Sequence, residues 1–153
     1  MARIAVFPGS FDPVTKGHES IVQRALPLFD SIIVAIGSNS TKSSMFTLEK
    51  RKQWLEQIFA SNPKVKVVDY SSLTIDLCKK YKANYIIRGL RSVTDFEYES
   101  SIAKMNRMME PGIETVFMIS LPEFSGVHST IVREIIKHGG DVSQFIPSGI
   151  AIK

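Results

Sequence analysis

The chain has 153 residues, 44% hydrophobic and 22% charged, with 19 Lys and Arg against 15 Asp and Glu for a net charge of +4. This balance is ordinary for a globular protein and excludes disordered, collagen-like and disulfide-scaffold classes. Cys78 has no partner for an internal disulfide, and Ile32 to Ile36 is far short of the ~20 apolar residues that span a bilayer, so the expectation is one cytoplasmic domain over residues 1–153, with no membrane association.

Ile4–Phe7 reads as the first strand, apolar at every position. His18, Val22, Leu26 and Phe29 then fall at helical spacing, and Pro27 should end or kink that helix. Ser31–Ile36 is the second strand. Thr47 can cap a helix to about Ala60, with Leu48, Leu55, Ile58 and Phe59 inward. Val65–Val68 is the third strand, its Lys66 marking a sheet edge. Leu73–Tyr81 is a short helix and Asn84–Ile87 the fourth strand. Thr94-Asp95-Phe96-Glu97 matches a capping box and opens a helix to about Met109. Thr115–Ile119 is the fifth strand. A last helix begins near Ser129 and stops before Gly139-Gly140, followed by a turn capped by Asp141.

Strands alternating with helices predict an α/β domain built on a parallel sheet. Ligands bind such sheets beyond the carboxyl ends of the strands. There the sequence collects Gly9 to Pro13, Thr15 to His18, Lys42, Thr74, Arg88 to Arg91, and Pro122 to Thr130. Glycines, hydroxyls, histidines and cations at one rim make a phosphate site. No G-x-G-x-x-G follows the first strand, and no Walker-type motif, zinc cluster or G-x-S-x-G elbow is present in the sequence. The stretch Thr15-Lys16-Gly17-His18 puts an imidazole in the first turn of a helix, where anions are favoured.

Together with Pro8-Gly9-Ser10-Phe11-Asp12-Pro13, that stretch resembles the nucleotidyltransferases of the (H/T)-x-G-H signature. Met45 to Glu49, Ile87-Arg88-Gly89-Leu90-Arg91, Asp95 to Glu99, Met105-Asn106-Arg107 and Ser129-Thr130-x-Val132-x-Glu134 extend the likeness over nearly the whole chain, specifically to the bacterial phosphopantetheine adenylyltransferases. The resemblance implies a Rossmann-like sheet in the order 3-2-1-4-5 with helices on both faces. It implies attack of the 4′-phosphate of phosphopantetheine on the α-phosphate of ATP, giving dephospho-coenzyme A and pyrophosphate, with Mg²⁺, in a homohexamer.

Site residues carry over by position. His18 is the transition-state stabiliser, joined in the catalytic set by Lys42 and Arg91. ATP is met by Ser10, Phe11, His18, Gly89, Leu90, Arg91, Glu99 and the run Phe124, Ser125, Gly126, Val127, His128, Ser129 and Thr130. Phosphopantetheine is met by Ser10, Lys42, Thr74 and Arg88. No protein ligand is assigned to Mg²⁺, which phosphates and water would hold. Asp12 is expected to brace its turn and Asp95 the helix start. Met105, Met108 and Met109 read as a core or subunit-contact face. Two rival readings are adenylyl transfer to another phosphate, such as nicotinamide mononucleotide, and a non-catalytic nucleotide or RNA-binding module. The Lys42, R-G-L-R and D-F-E-Y-E features argue against the first. The absence of a stacking platform argues against nucleic acid as a partner.

Overall fold

Strand β1 (Ile4–Gly9) is the middle of a five-stranded sheet with β2 (Ser31–Gly37), β3 (Val65–Tyr70), β4 (Tyr85–Leu90) and β5 (Glu114–Ile119). All pairings are parallel and the order is β3-β2-β1-β4-β5, as expected. β3 lies at an edge, where Lys66 suggested. The computed structural model describes residues 1–38 and 43–152.

Side chains alternate across a strand, and here both faces are apolar. Ala5, Phe7, Ile32, Val34, Ile36 and Ile87 pack on one face against α1 (Lys16–Ala25), α2 (Leu48–Ile58), α5 (Ser129–Lys137) and the tail residues Val142, Ile146 and Ile150. Val6, Ile33, Ala35, Val68 and Ile86 pack on the other against α3 (Thr74–Tyr81). Cys78 belongs to this second core; burial pushes its thiol up to about 11, so it fills space and is not a nucleophile.

α1 stops at Ala25 and Pro27 sits in a 3₁₀ turn, Leu26–Leu28, as expected of the ring. Other element ends differ from the sequence reading. β1 runs on to Gly9 and β4 to Leu90, because neighbouring strands continue to offer backbone partners. Helix α4 (Val93–Met109) opens earlier than its expected capping box. Ser92 is the cap, accepting from the Asp95 N–H at 3.2 Å, and Thr94 already lies inside the helix. The only buried residue of α4 is Glu99, and Met105, Met108 and Met109 are exposed rather than in the core.

One break in the sheet positions the site. β1 pairs with β2 from Ile4 to Gly9, but with β4 only at Ala5–Tyr85 and Val6–Ile86. Pro8 has no N–H to give, and its carbonyl goes instead to the Arg88 side chain at 2.7 Å. The two strands therefore part just where the strand order reverses, which is where ligands enter such sheets.

Candidate active site

Three arginines from three elements hold the turn after β1. Arg88 of β4 donates to the Pro8 carbonyl at 2.7 Å, Arg51 of α2 to Ser10 at 2.8 Å, and Arg133 of α5 to Asp12 at 2.8 Å. Alternate carbonyls are thus turned outward to guanidinium groups. Arg51 is 5% exposed and also donates to the Phe46 carbonyl at 3.1 Å. Asp12 closes the same contact from the other side, accepting from the N–H groups of Met45 and Phe46 at 2.8 and 2.9 Å. It braces the approach to α2 as well as its own turn.

Phe11 adopts φ 48°, a left-handed conformation rare for a residue with a Cβ. Its ring is buried edge-on to Phe7 (5.6 Å between centroids) and to the His18 imidazole (4.9 Å). Gly9 lies under that ring, and a Cβ there would come within 3.1 Å of it.

His18 is the third residue of α1. Thr15 caps the helix: its hydroxyl accepts from the His18 N–H at 3.3 Å, while its own N–H donates to His18 Nδ1 at 3.0 Å. The tail carbonyl of Phe145 takes the Lys16 N–H at 2.9 Å and fixes the helix start further. Because Nδ1 accepts, Nε2 carries the proton and is left for a ligand. Burial, then Arg91 and Arg88, lowers the imidazole pKa to about 4. His18 is therefore a neutral donor at physiological pH.

Two cavities flank this turn. One, of about 300 Å³, is lined by His18, Arg91, Ser129, Thr130 and Arg133 among others. The other, of about 610 Å³, is lined by Ser38, Tyr70, Thr74, Ile102, Asn106 and neighbours. They share Pro8, Gly9, Ser10, Arg88 and Glu99 as a common wall. Of the expected nucleotide residues, Ser10, Phe11, His18, Gly89, Arg91, Glu99, Phe124, Val127, His128, Ser129 and Thr130 line the smaller cavity. Leu90, Ser125 and Gly126 do not, and the Ser125 hydroxyl turns back to the Pro122 carbonyl at 2.9 Å. Ser10, Thr74 and Arg88 line the larger cavity. Lys42 lies outside the described residues.

Glu99 does not face the cavities alone. Both its oxygens accept from Arg88, Nε and Nη2, at 2.8 Å each, in a bidentate pair. Arg91 joins three segments, donating its N–H to Asp95 at 3.0 Å and Nη1 to the Val127 carbonyl at 3.1 Å. Asp95 thus braces the start of α4, as expected. His128 sits at the cap of α5 without a side-chain cap bond. Sequence reasoning missed Arg51 and Arg133. Arg133 stands four residues after Ser129, so helical spacing from that expected ligand could have found it. Arg51 had no such signal.

A family model described as cytidylyltransferase-like matches residues 6–135. A phosphopantetheine adenylyltransferase of Flavobacterium johnsoniae is 50% identical over 151 residues, 99% of each chain. One from Bacteroides thetaiotaomicron is 48% identical over 150 residues, covering 98% of this chain and 99% of that one. Among solved structures, a bifunctional NMN adenylyltransferase/ADP ribose pyrophosphatase from Francisella tularensis superposes with a TM-score of 0.73 at 21% identity. That match covers 95% of this chain and 45% of the bifunctional one. Its complex with AMP and a manganese ion superposes with a TM-score of 0.69 at 22% identity, over 95% of this chain and 44% of that one. These structures share the fold; the sequence relatives share far more. The chain belongs to the cytidylyltransferase-like nucleotidyltransferases and, among them, to the phosphopantetheine adenylyltransferases.

Proposed function

We propose that this enzyme transfers the adenylyl group of ATP to 4′-phosphopantetheine, releasing pyrophosphate and forming dephospho-coenzyme A. The observation that carries the reading is the pair of cavities meeting at one wall, Pro8 to Ser10 with Arg88 and Glu99. Two polyanionic substrates must be held end to end for in-line transfer, and a shared wall is where the reacting phosphorus would sit. The smaller cavity suits ATP. The larger suits the extended pantetheine arm, with Arg88 at the join to receive its phosphate.

The nucleophile is already a phosphate oxygen, so no covalent enzyme intermediate is required. The protein's work is alignment and neutralisation of charge building on the α-phosphate. His18 Nε2–H donates to an α-phosphate oxygen, and its neutral state means it gains no proton to lose. Arg91 and the Gly89–Leu90 backbone hold ATP, with Glu99 acting through Arg88. The Phe124 to Thr130 run closes over the nucleotide, and Ser10 and Lys42 touch phosphate. Thr74, whose hydroxyl lies 2.9 Å from that of Tyr70, contacts the pantetheine arm.

A divalent cation, Mg²⁺ here, would neutralise the polyphosphate. The carboxylates near the turn are already engaged: Asp12 with two N–H groups, Glu99 with Arg88, Asp95 with Arg91. Among the described residues no cluster of three or more ligating side chains is present. That donor set supports a metal carried by substrate phosphates and water. The exposed apolar face of α4, with Val93 at 75%, Met105 at 64% and Met108 at 83%, supports burial in a homohexamer. No described helix is long and apolar enough to cross a membrane, and a cytoplasmic setting suits the single buried thiol.

The test is pyrophosphate release from ATP and Mg²⁺ with 4′-phosphopantetheine or nicotinamide mononucleotide as acceptor. Release with phosphopantetheine alone is expected. Release with the mononucleotide alone would replace the acceptor, and a folded protein silent with both would end the reading.

A further inference from the structure

The first turn of α1 is held from outside the helix. A helix start leaves its first N–H groups without intrahelical partners. The Thr15 hydroxyl takes that of His18. That of Lys16 goes to the Phe145 carbonyl at 2.9 Å, far along the chain. The segment that delivers this carbonyl is built to keep it still. It leaves α5 through Gly140, which donates to the Ile135 carbonyl at 2.9 Å and where a Cβ would come within 2.6 Å of Ile135 Cγ2. The Asp141 carboxylate accepts from the N–H and the hydroxyl of Ser143, at 2.9 and 3.0 Å. The Phe145 N–H closes the next turn onto the Val142 carbonyl at 2.9 Å. Val142 and Ile146, each 3% exposed, anchor the segment in the core on either side of that turn. Residues 140–146 thus form a strap from the end of α5 to the start of α1.

We propose that Phe145 is a positioning residue for the reaction: its carbonyl holds the first turn of α1 and, through it, the direction in which His18 presents Nε2–H. The inference rests on the adenylyl-transfer reading above. His18 Nδ1 is tied to the Thr15 N–H at 3.0 Å, so the ring points where the first turn points. A donor aimed at a transition state tolerates little misplacement, and about 1 Å can cost 10²-fold in rate. One hydrogen bond adds only modestly to stability, so the strap should leave its mark on kcat.

Lys16→Pro removes the N–H and sets a ring against the Phe145 carbonyl. Proline is favoured at the first position of a helix, and Thr15, at φ −119° and ψ 168°, already has the extended backbone that precedes one. The helix is spared and the strap is displaced. Lys16→Ala, which loses the same side chain and keeps the N–H, is the reference. Relative to it, Lys16→Pro should lower kcat by roughly tenfold, with both KM values within about twofold. In a His18→Ala background the same change should lower kcat by less than about twofold, because the group being aimed is gone. Equal loss in both backgrounds, or loss in neither, overturns the proposal. If Lys16→Pro melts early, Ile146→Val, which loosens the anchor beside the carbonyl, decides by the same contrast. Proton NMR gives a readout that needs no turnover. The His18 ring lies 4.9 Å from that of Phe11, whose ring current reports its place. The His18 ring resonances should move between Lys16→Ala and Lys16→Pro, and unmoved resonances overturn the proposal. A wild type silent with ATP and phosphopantetheine would instead overturn the adenylyl-transfer reading.

Discussion

The smaller cavity, proposed above for the nucleotide, and the larger, proposed for the acceptor, share a wall yet are held in different ways. Around the first, side-chain directions are closed by hydrogen bonds within the chain: Thr15 holds His18, Asp95 and the Val127 carbonyl hold Arg91, and Asp12 and Thr130 hold Arg133. Around the second, the wall is a row of hydroxyls, Ser38, Ser71, Ser72 and Thr74, closed by Ile102, Ala103 and Asn106 of α4. Helix α4 buries one residue, Glu99. On the adenylyl-transfer reading, the first cavity is pre-organised for charge that develops during reaction, which is where fixed dipoles contribute most, and the second takes a long, flexible substrate, for which a rigid cradle matters less than length and polarity.

The largest expected effect lies in the first cavity. His18→Ala removes a pre-aimed donor and should lower kcat by roughly 10²–10³, or ~2.7–4 kcal/mol, with both KM values little changed. Single-turnover kinetics check this; an unchanged rate would remove His18 from the chemistry. Next is Arg51→Met, which touches neither cavity directly. It leaves the carbonyls of Ser10 and Phe46 without a donor in a partly buried site, and should cost about 2 kcal/mol of stability in urea denaturation. A loss below about 0.5 kcal/mol would mean water replaces the guanidinium, and that the turn is not pinned from α2.

Glu99→Gln tests the join. A glutamine cannot match both nitrogens of Arg88, so the guanidinium loses its fixed direction. The phosphopantetheine KM should rise by roughly tenfold, about 1.4 kcal/mol, with the ATP KM less affected. A rise confined to ATP would assign Glu99 to the nucleotide itself.

The parallel sheet and its two-sided core follow from features visible in the chain, because buried parallel strands are largely apolar and their spacing leaves room for helical crossovers; the strand order is what the family resemblance implies. Element ends were less legible. Nothing local distinguishes Thr94 from Ser92 as the cap of α4; what decides is that Ser92 stands free of β4 and can accept from Asp95. The site divides in the same way. His18, Ser10, Arg88 and Arg91 lie in motifs whose residue types name their chemistry. Arg51 sits in a helix rich in charge, LEKRKQW, and reads as solvated. It is held because the folded turn supplies the Ser10 carbonyl from 41 residues away in sequence, a long-range fact with no local trace.

The smallest effect expected is on pH dependence, and it too separates the cavities, since the titrating group belongs to one. Above about pH 6.5 His18 is neutral in folded and unfolded chains, and contributes no slope. As pH falls from 6.5 toward about 4, the unfolded chain takes up a proton that the folded imidazole refuses, held back by burial, then Arg91 and Arg88. Unfolding therefore becomes easier through that window, and below about 4 the difference is constant. Discounting for solvent reaching the partly buried ring, the loss should be about 1 kcal/mol by pH 5. Carboxylates also titrate near there, so the quantity to measure is wild type minus His18→Gln, by urea denaturation from pH 7.5 down to 4.5. The difference should be flat above about 6.5 and should move against wild type below it. A flat difference throughout would mean that His18 protonates freely in the folded protein, leaving the smaller cavity as open to water as its neighbour.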